Sequence, residues 1–347
     1  MLMQSNRHGK DRAAFVGGGG GAGFKGDNLG SSPNRIVKVY SPICTLGAAL
    51  CGTRNTAITT GILGKSGGMG TSTRDALAKA LSLLTDAGYK PEDVVKAKVL
   101  LGDMGKFAEF NAAYADFFGT HKPARECVQT GNLSDNADLQ LSLIASKKPI
   151  QVIFSKEAPE AIGPYSQAMM AGNSLYLSGQ ISGEGNAATQ AMNVLKQLEA
   201  VLKEAGMNMG DVLKASVYLS DFSDFGAVNE AFTQVFPSNP PAREAVEMAV
   251  LPKSVKVEVS LIAKKGAGEN KIIIMAKDAP APVGPYSHAV EIGNKVFLSG
   301  QICREGDFGQ QTETVLGNLE KVLRAAETTP QDVIAATLFL SDLNSLD

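Results

Sequence analysis

The sequence predicts an α+β fold repeated in tandem, three copies of one domain with the last cut short. Two observations predict the repeat. Ala87-Gly-Tyr-Lys-Pro-Glu-Asp-Val-Val-Lys-Ala-Lys-Val99 returns as Ala205-Gly-Met-Asn-Met-Gly-Asp-Val-Leu-Lys-Ala-Ser-Val217, an offset of 118. The same offset carries Asn111 to Asn229, Pro123-Ala-Arg-Glu126 to Pro241-Ala-Arg-Glu244, and Ser142-Leu-Ile-Ala145 to Ser260-Leu-Ile-Ala263. A second offset, 121, carries Gly163-Pro-Tyr-Ser166 to Gly284-Pro-Tyr-Ser287, and Leu177-Ser-Gly-Gln-Ile181 to Leu298-Ser-Gly-Gln-Ile302. A constant offset leaves no room for insertions, so the segments share one fold. The third observation sets the class: strand-sized apolar runs alternate with amphipathic helical stretches inside each copy.

Copy two shows the elements most plainly. Val152 to Phe154 and Ser174 to Ser178 read as short strands. A helix follows from about Ala187 to Glu204, with Ala188, Met192, Leu195, Leu198 and Leu202 as its apolar stripe and Gly206 closing its C-terminus. Val212 to Leu219 is the next strand. A second helix, about Phe222 to Phe236, buries Phe225, Val228, Phe232 and Val235. Arg243 to Ala249 and Val255 to Ala263 are the last strands, joined through Leu251-Pro-Lys253. In the final strand Val255, Val257 and Val259 alternate with Lys256, Glu258 and Ser260. The predicted product is a mixed sheet backed by two helices, with a polar second face that is either solvated or set against another copy.

The expected boundaries are a flexible Gly-rich tail over 1–34, copy one over 35–148, copy two over 149–265 and copy three over 270–347. The tail formally matches GxGxxG at Gly21 to Gly26, but the turn-rich Asp27 to Pro33 cannot open the helix that a dinucleotide site needs. Copy three stops at Asp347, the counterpart of Gly226. It therefore lacks the Pro-Ala-Arg motif, the second helix and the last strands, which predicts a free sheet edge.

Composition narrows the function. Apolar residues make up 44% and charged residues 20%, with a net charge of −2, so no global footprint for nucleic acid or anionic membrane appears. No apolar run is long enough for a membrane span. The four cysteines lack a CxxC pair and the three histidines are not spaced as metal ligands, which suggests a reduced, cytoplasmic setting; an organellar address in the tail stays open. Leu63-Gly-Lys-Ser66 has Thr59 where a P-loop needs glycine.

Taken together, Ala161-Ile-Gly-Pro-Tyr-Ser-Gln167, Leu177-Ser-Gly-Gln-Ile181, Asn229, Pro241-Ala-Arg243 and Leu251-Pro-Lys-Ser-Val-Lys-Val-Glu258 resemble the reactive-intermediate deaminase (Rid) family, once labelled L-PSP endoribonuclease-like. The resemblance covers about residues 150–265 in full, 270–347 for the part present and 55–145 more loosely. It implies a chorismate-mutase-like domain, normally trimeric with clefts between neighbours. It also implies hydrolysis of enamines and imines of the 2-aminoacrylate type to 2-keto acids and ammonia, without cofactor or metal. Three copies in series then predict an intramolecular pseudo-trimer with polar sheet faces inward, or a homo-oligomer.

An imine carbon is already electrophilic, so such a site needs a carboxylate clamp and a way to position water. Arg243 is the expected clamp, because a guanidinium fork suits a carboxylate; the alternative is an interface ion pair. Glu258 is the expected water-orienting base, though spacing alone would make it one more charge on a strand face. Tyr165 is placed with them, and Ser178 as a ligand contact. Asn229 matches a family cleft residue but would serve equally to satisfy backbone. Copy one keeps Asn111, Arg125 and Cys127, the last matched by Ala245 in copy two; Arg125 and Ala245 are also expected to contact the substrate. It has Gln140 for Glu258, Thr60 for Ser178 and Gly47 for Tyr165, which predicts weak binding or a scaffold role. Copy three keeps Tyr286 and Ser299, which would complete a cleft only with an arginine from elsewhere. Two readings result: a deaminase working mainly through copy two, or a non-catalytic small-carboxylate-binding or scaffold protein whose sites have decayed. RNA cleavage rests on the old label alone, and the missing basic stripe weighs against it.

Overall fold

In the computed structural model, residues 4–6, 49–53, 55–65 and 67–343 are described. Strand β1 is Gln4–Asn6. Copy one then contributes β2 (Ala49–Thr53), β3 (Thr56–Gly64), α1 (Met69–Asp86), β4 (Val94–Leu101), α2 (Phe107–Phe118), β5 (Ala124–Gln129) and β6 (Leu139–Ser146). Copy two repeats the pattern as β7 (Ile150–Ile153), β8 (Ala168–Ala171), β9 (Ser174–Leu177), β10 (Gln180–Ile181), α3 (Ala187–Glu204), β11 (Val212–Leu219), α4 (Phe225–Val235), β12 (Ala242–Glu247) and β13 (Val257–Lys264). Copy three carries a short α5 (Ala267–Asn270) at its entrance, then β14 (Ile272–Ile274), β15 (Ala289–Ile292), β16 (Lys295–Leu298), α6 (Phe308–Ala325) and β17 (Val333–Ala335). No helix among the described residues is long and apolar enough to cross a membrane.

Each full copy is a mixed sheet with two helices on one face. In copy two the order is β12-β11-β13-β9-β8-β7, and β11 pairs with β12 parallel but with β13 antiparallel. The last two strands are therefore consecutive in sequence yet separated in the sheet by β11; they do not form a hairpin. Helix α3 has the predicted bounds, capped by the Asn186 side chain accepting from Thr189 N–H, and Gly206 takes a left-handed φ of 67° just past its end. Its buried stripe is richer than expected: Ala191, Val194 and Val201 join Leu195, Leu198 and Leu202, whereas Met192 is half-buried. The helices cover Val217, Val257, Val259 and Leu261 of the sheet. Copy one builds an equivalent core from Leu77, Leu84, Phe110, Tyr114 and Leu141.

The opposite sheet faces meet one another. Lys96 of copy one donates to Leu177 O and Ser260 Oγ of copy two at 3.1 and 3.0 Å, and pairs with Glu126 at 3.0 Å. Glu126 also accepts from Tyr218 Oη at 3.0 Å and from Ser260 Oγ of copy two. One copy further on, Lys214 repeats the motif, with Glu244 at 2.8 Å and Leu298 O of copy three at 3.0 Å. The polar alternation along β13 is thus buried against copy one rather than solvated: Glu258 and Ser260 are 2% and 1% exposed.

In copy three the inner strand position beside β16 is filled, while β17 ends the sheet among the described residues. β1, from the segment expected to be a flexible tail, lies antiparallel between β16 and β17. Gln4 and Ser5 face Phe297 and Val296 just as Ile262 and Ala263 face Tyr176 and Leu175 in copy two. Bare N–H and C=O groups at a strand gap are costly, and a passing strand satisfies them whatever its side chains. The rest of the tail, and Gly47, lie outside the described residues.

Candidate active site

The Pro-Ala-Arg motif of each copy reaches into the next copy. Ala124 forms a parallel bridge with Ser166, and the Arg125 backbone is held from both sides. Its N–H donates to Ser178 Oγ at 2.8 Å, and its carbonyl accepts from Gly179 N–H at 2.9 Å. Ser178 Oγ in turn donates to Ser166 O at 2.5 Å. The Arg125 side chain then enters a stack of rings, 4.9 Å from Tyr114, 5.1 Å from Phe110 and 4.8 Å from Tyr165 of copy two. One fork nitrogen, Nη2, donates to Asn111 Oδ1 at 2.8 Å. The other, Nη1, is buried with no partner among the described residues. Two glycines make room for this. A Cβ on Gly163 would sit 2.8 Å from Arg125 Nη2, and one on Gly179 would sit 2.0 Å from Glu258 Oε1.

Glu258 comes to the same cavity from β13. Arg125, Cys127, Tyr165, Gly179 and Glu258 line a space of about 20 Å³, with Ile162 and Pro252 also in its wall, which suits about one water. Burial raises the Glu258 carboxyl to about 8, reinforced by the Glu126 charge and opposed by the Cys127 amide, Lys96 and Arg125. Its Oε2 is buried without a partner. Glu126 differs although it is as deeply buried: desolvation would raise it, but Lys96, Lys98 and Ser260 hold it down at about 2. Burial pushes the Cys127 thiol up to about 12 against the pull of Arg125, so it stays protonated and is no thiolate nucleophile.

A second cleft, between copies two and three, repeats the first. Arg243 N–H donates to Ser299 Oγ at 2.8 Å, and Arg243 O accepts from Gly300 N–H at 3.0 Å. The guanidinium bonds Asn229 Oδ1 at 2.6 Å and lies 4.9 Å from Phe232 and 5.2 Å from Tyr286 of copy three. Burial lowers Arg243 to about 10, and its Nη1 is likewise unpartnered. Ala245 stands where the first cleft has Cys127.

The residues predicted from sequence are thus split between two clefts. Glu258 and Tyr165 share the first with Arg125; Arg243 and Asn229 share the second with Tyr286. Ser178 and Ser299, expected as ligand contacts, spend their hydroxyls joining neighbouring copies, and Asn111 and Asn229 fix the arginine forks. Arg125 is expected from sequence as a substrate contact, but in a copy read as weakly binding or scaffold rather than as the partner of Glu258. Its signal was complementary loss: copy one keeps the arginine, asparagine and cysteine but not the glutamate, while copy three keeps the tyrosine but not the arginine.

The profile of the family described as Endoribonuclease L-PSP matches three stretches, residues 33–147, 155–265 and 276–347. A RutC family protein of Pyrococcus horikoshii is 45% identical over 123 residues, which is 33% of this chain and 98% of that protein. The human 2-iminobutanoate/2-iminopropanoate deaminase is 43% identical over 124 residues, 33% of this chain and 90% of its own. Among solved structures, RidA from an Antarctic Psychrobacter is 38% identical, covering 33% of this chain and 98% of that one at a TM-score of 0.32. With matches spread over all three copies, the chain belongs to the Endoribonuclease L-PSP family, also known as the Rid family.

Proposed function

We propose that the chain is a deaminase that hydrolyses small imines and enamines of the 2-iminobutanoate and 2-aminoacrylate type to 2-keto acids and ammonia. The chemistry is assigned to the cleft between copies one and two, not to copy two alone. One observation carries this: Arg125 and Glu258, from different copies, line one cavity, each with a buried polar atom that has no partner. Unpaired buried groups are costly, and a carboxylate and a water are the partners their chemistry accepts.

Arg125 Nη1 binds the substrate carboxylate while Asn111 and the aromatic stack hold the fork in place. Glu258, as carboxylate, takes a proton from water as the oxygen bonds to the imine carbon. The same proton then goes to nitrogen to give a carbinolamine; Glu258 next takes the hydroxyl proton and passes it to nitrogen, so that C=O forms as the C–N bond breaks and ammonia leaves the keto acid. No strong nucleophile is needed. The space of about 20 Å³ between Arg125 and Glu258 accommodates the attacking water.

The second cleft repeats the clamp through Arg243, so it too is expected to bind a small carboxylate. The copies are read as an intramolecular pseudo-trimer, since the PAR strands and lysine–glutamate pairs recur at both copy junctions. Ammonia release from 2-iminobutanoate tests the assignment. Arg125→Ala should abolish it and Arg243→Ala should spare it; loss only with Arg243→Ala would refute the assignment.

A further inference from the structure

Away from both clefts, the three copies enclose a larger cavity of about 80 Å³ that shares no lining residue with the catalytic one. Its apolar walls include Ile58 and Ile144 of copy one, Ile262 of copy two, and Ile292 and Phe297 of copy three. Three lysines line it: Lys148 from the link into copy two, Lys264 at the end of β13, and Lys295 at the start of β16. Thr56, Ser174 and Tyr176 add hydroxyls. None of the three lysines has a carboxylate within ion-pair distance among the described residues. Burial, with Lys148 and Lys264 adding repulsion, lowers the Lys295 ammonium to about 8.

Repetition of the fold does not explain this charge. The offsets of 118 and 121 align Thr56, Ser174 and Lys295, so copies one and two place short hydroxyls where copy three places a lysine. Lys264 replaces Ser146 of copy one, and Lys148 aligns with Gly266. Each cation is a departure from the repeat, and together they bring like charges to one cavity, in which Lys295 is the most withdrawn from water while Lys264 is half-buried and Lys148 exposed. That is unfavourable unless an anion joins them. The donors are ammonium groups rather than guanidinium forks. An ammonium is a compact point charge with rotatable donors, so three of them converging suit an oxyanion that offers oxygens in several directions, and the apolar walls strengthen the attraction.

We propose that this cavity binds a small tetrahedral oxyanion of the phosphate class, held by Lys148, Lys264 and Lys295. An anion there ties the three copies together at a point distant from catalysis, so it stabilises the fold by mass action.

Inorganic phosphate, titrated calorimetrically into the full chain at constant ionic strength with chloride as the reference salt, tests this. The expected result is one saturable site and a phosphate-dependent rise in unfolding temperature. Lys295→Ser, which installs the copy-two residue, should weaken binding at least about tenfold. Lys295→Met keeps the apolar stem and should lose binding equally, so a packing defect cannot imitate the effect. Both variants should keep deamination and unfold no earlier than the parent in chloride. Phosphate behaving like chloride, or either variant binding phosphate as the parent does, overturns the proposal.

Discussion

Glu258→Gln separates the charge of the proposed base from its shape. The side chain keeps its length and an acceptor, and the Cys127 amide still has a partner, but no proton can be taken. The magnitude follows from burial. With the carboxyl raised to about 8, only the deprotonated form serves as base, so the active fraction grows with pH. At pH 7 roughly a tenth is ionised, at pH 8 about half, and at pH 9 about nine-tenths. On an imine substrate kcat/KM should therefore rise nearly tenfold from about pH 6 to 7 and level off above about 9, once spontaneous hydrolysis is subtracted. Glu258→Gln should lower turnover by about 10²–10⁴ and flatten this limb, while 2-ketobutanoate binding measured by calorimetry stays nearly unchanged. The raised value carries a stability consequence of the same origin. The neutral acid is favoured in the folded state, so its contribution is full below about 4.5 and lost as pH rises through about 8. A parent profile flat between pH 6 and 9, or a variant that keeps the rising limb, would sink the assignment of Glu258 to water activation.

The remaining predictions use other parts of the structure. Calorimetry with 2-ketobutanoate should find two sites, one removed by Arg125→Ala and the other by Arg243→Ala, each losing at least about tenfold in affinity from a charge-assisted contact worth about 1.5–3 kcal/mol; a single site lost to both variants would contradict two clefts. Gly179→Ala puts a methyl against the Glu258 carboxylate, so activity should vanish and stability fall by about 1–3 kcal/mol in urea denaturation, whereas an active variant would show that Glu258 does not sit there. Lys96→Met strands Glu126 in the junction between copies one and two, and should cost about 3–5 kcal/mol. Because Lys96, Lys98 and Ser260 hold Glu126 at about 2, its contribution in the parent is full above about 4.5 and lost as pH falls toward 2; equal acid sensitivity in Glu126→Gln would disprove that role.

Much of the fold was legible because helices and strands announce themselves locally. The stripe of α3 from Leu195 to Leu202, its glycine stop at Gly206 and the alternation along β13 depend on spacing within one segment, and the offsets of 118 and 121 made three folds from one. Sheet order was not legible. Nothing in the run from Arg243 to Ala263 says that β11 will insert between its two strands, since pairing is chosen by the hydrophobic face and not by the connecting turn. The strand from Gln4 to Asn6 was equally hidden, because the position it fills demands backbone hydrogen bonds rather than a side-chain pattern.

For the site, the sequence by itself determined the chemical inventory: an arginine fork, a carboxylate and a tyrosine turn, which suffice for a chemistry that needs no strong nucleophile. Only the tertiary structure decided which of them meet. Arg243 and Glu258 are near in sequence and belong to one domain, yet β12 carries Arg243 into copy three while β13 turns Glu258 toward copy one. Residues that touch across a junction have no fixed separation along the chain, so no motif within a copy can record the contact. Burial is decided there too. The same residue type sits at about 2 in Glu126, beside two lysines, and at about 8 in Glu258, beside an open cavity, because what surrounds a carboxylate once three copies have closed sets its proton affinity.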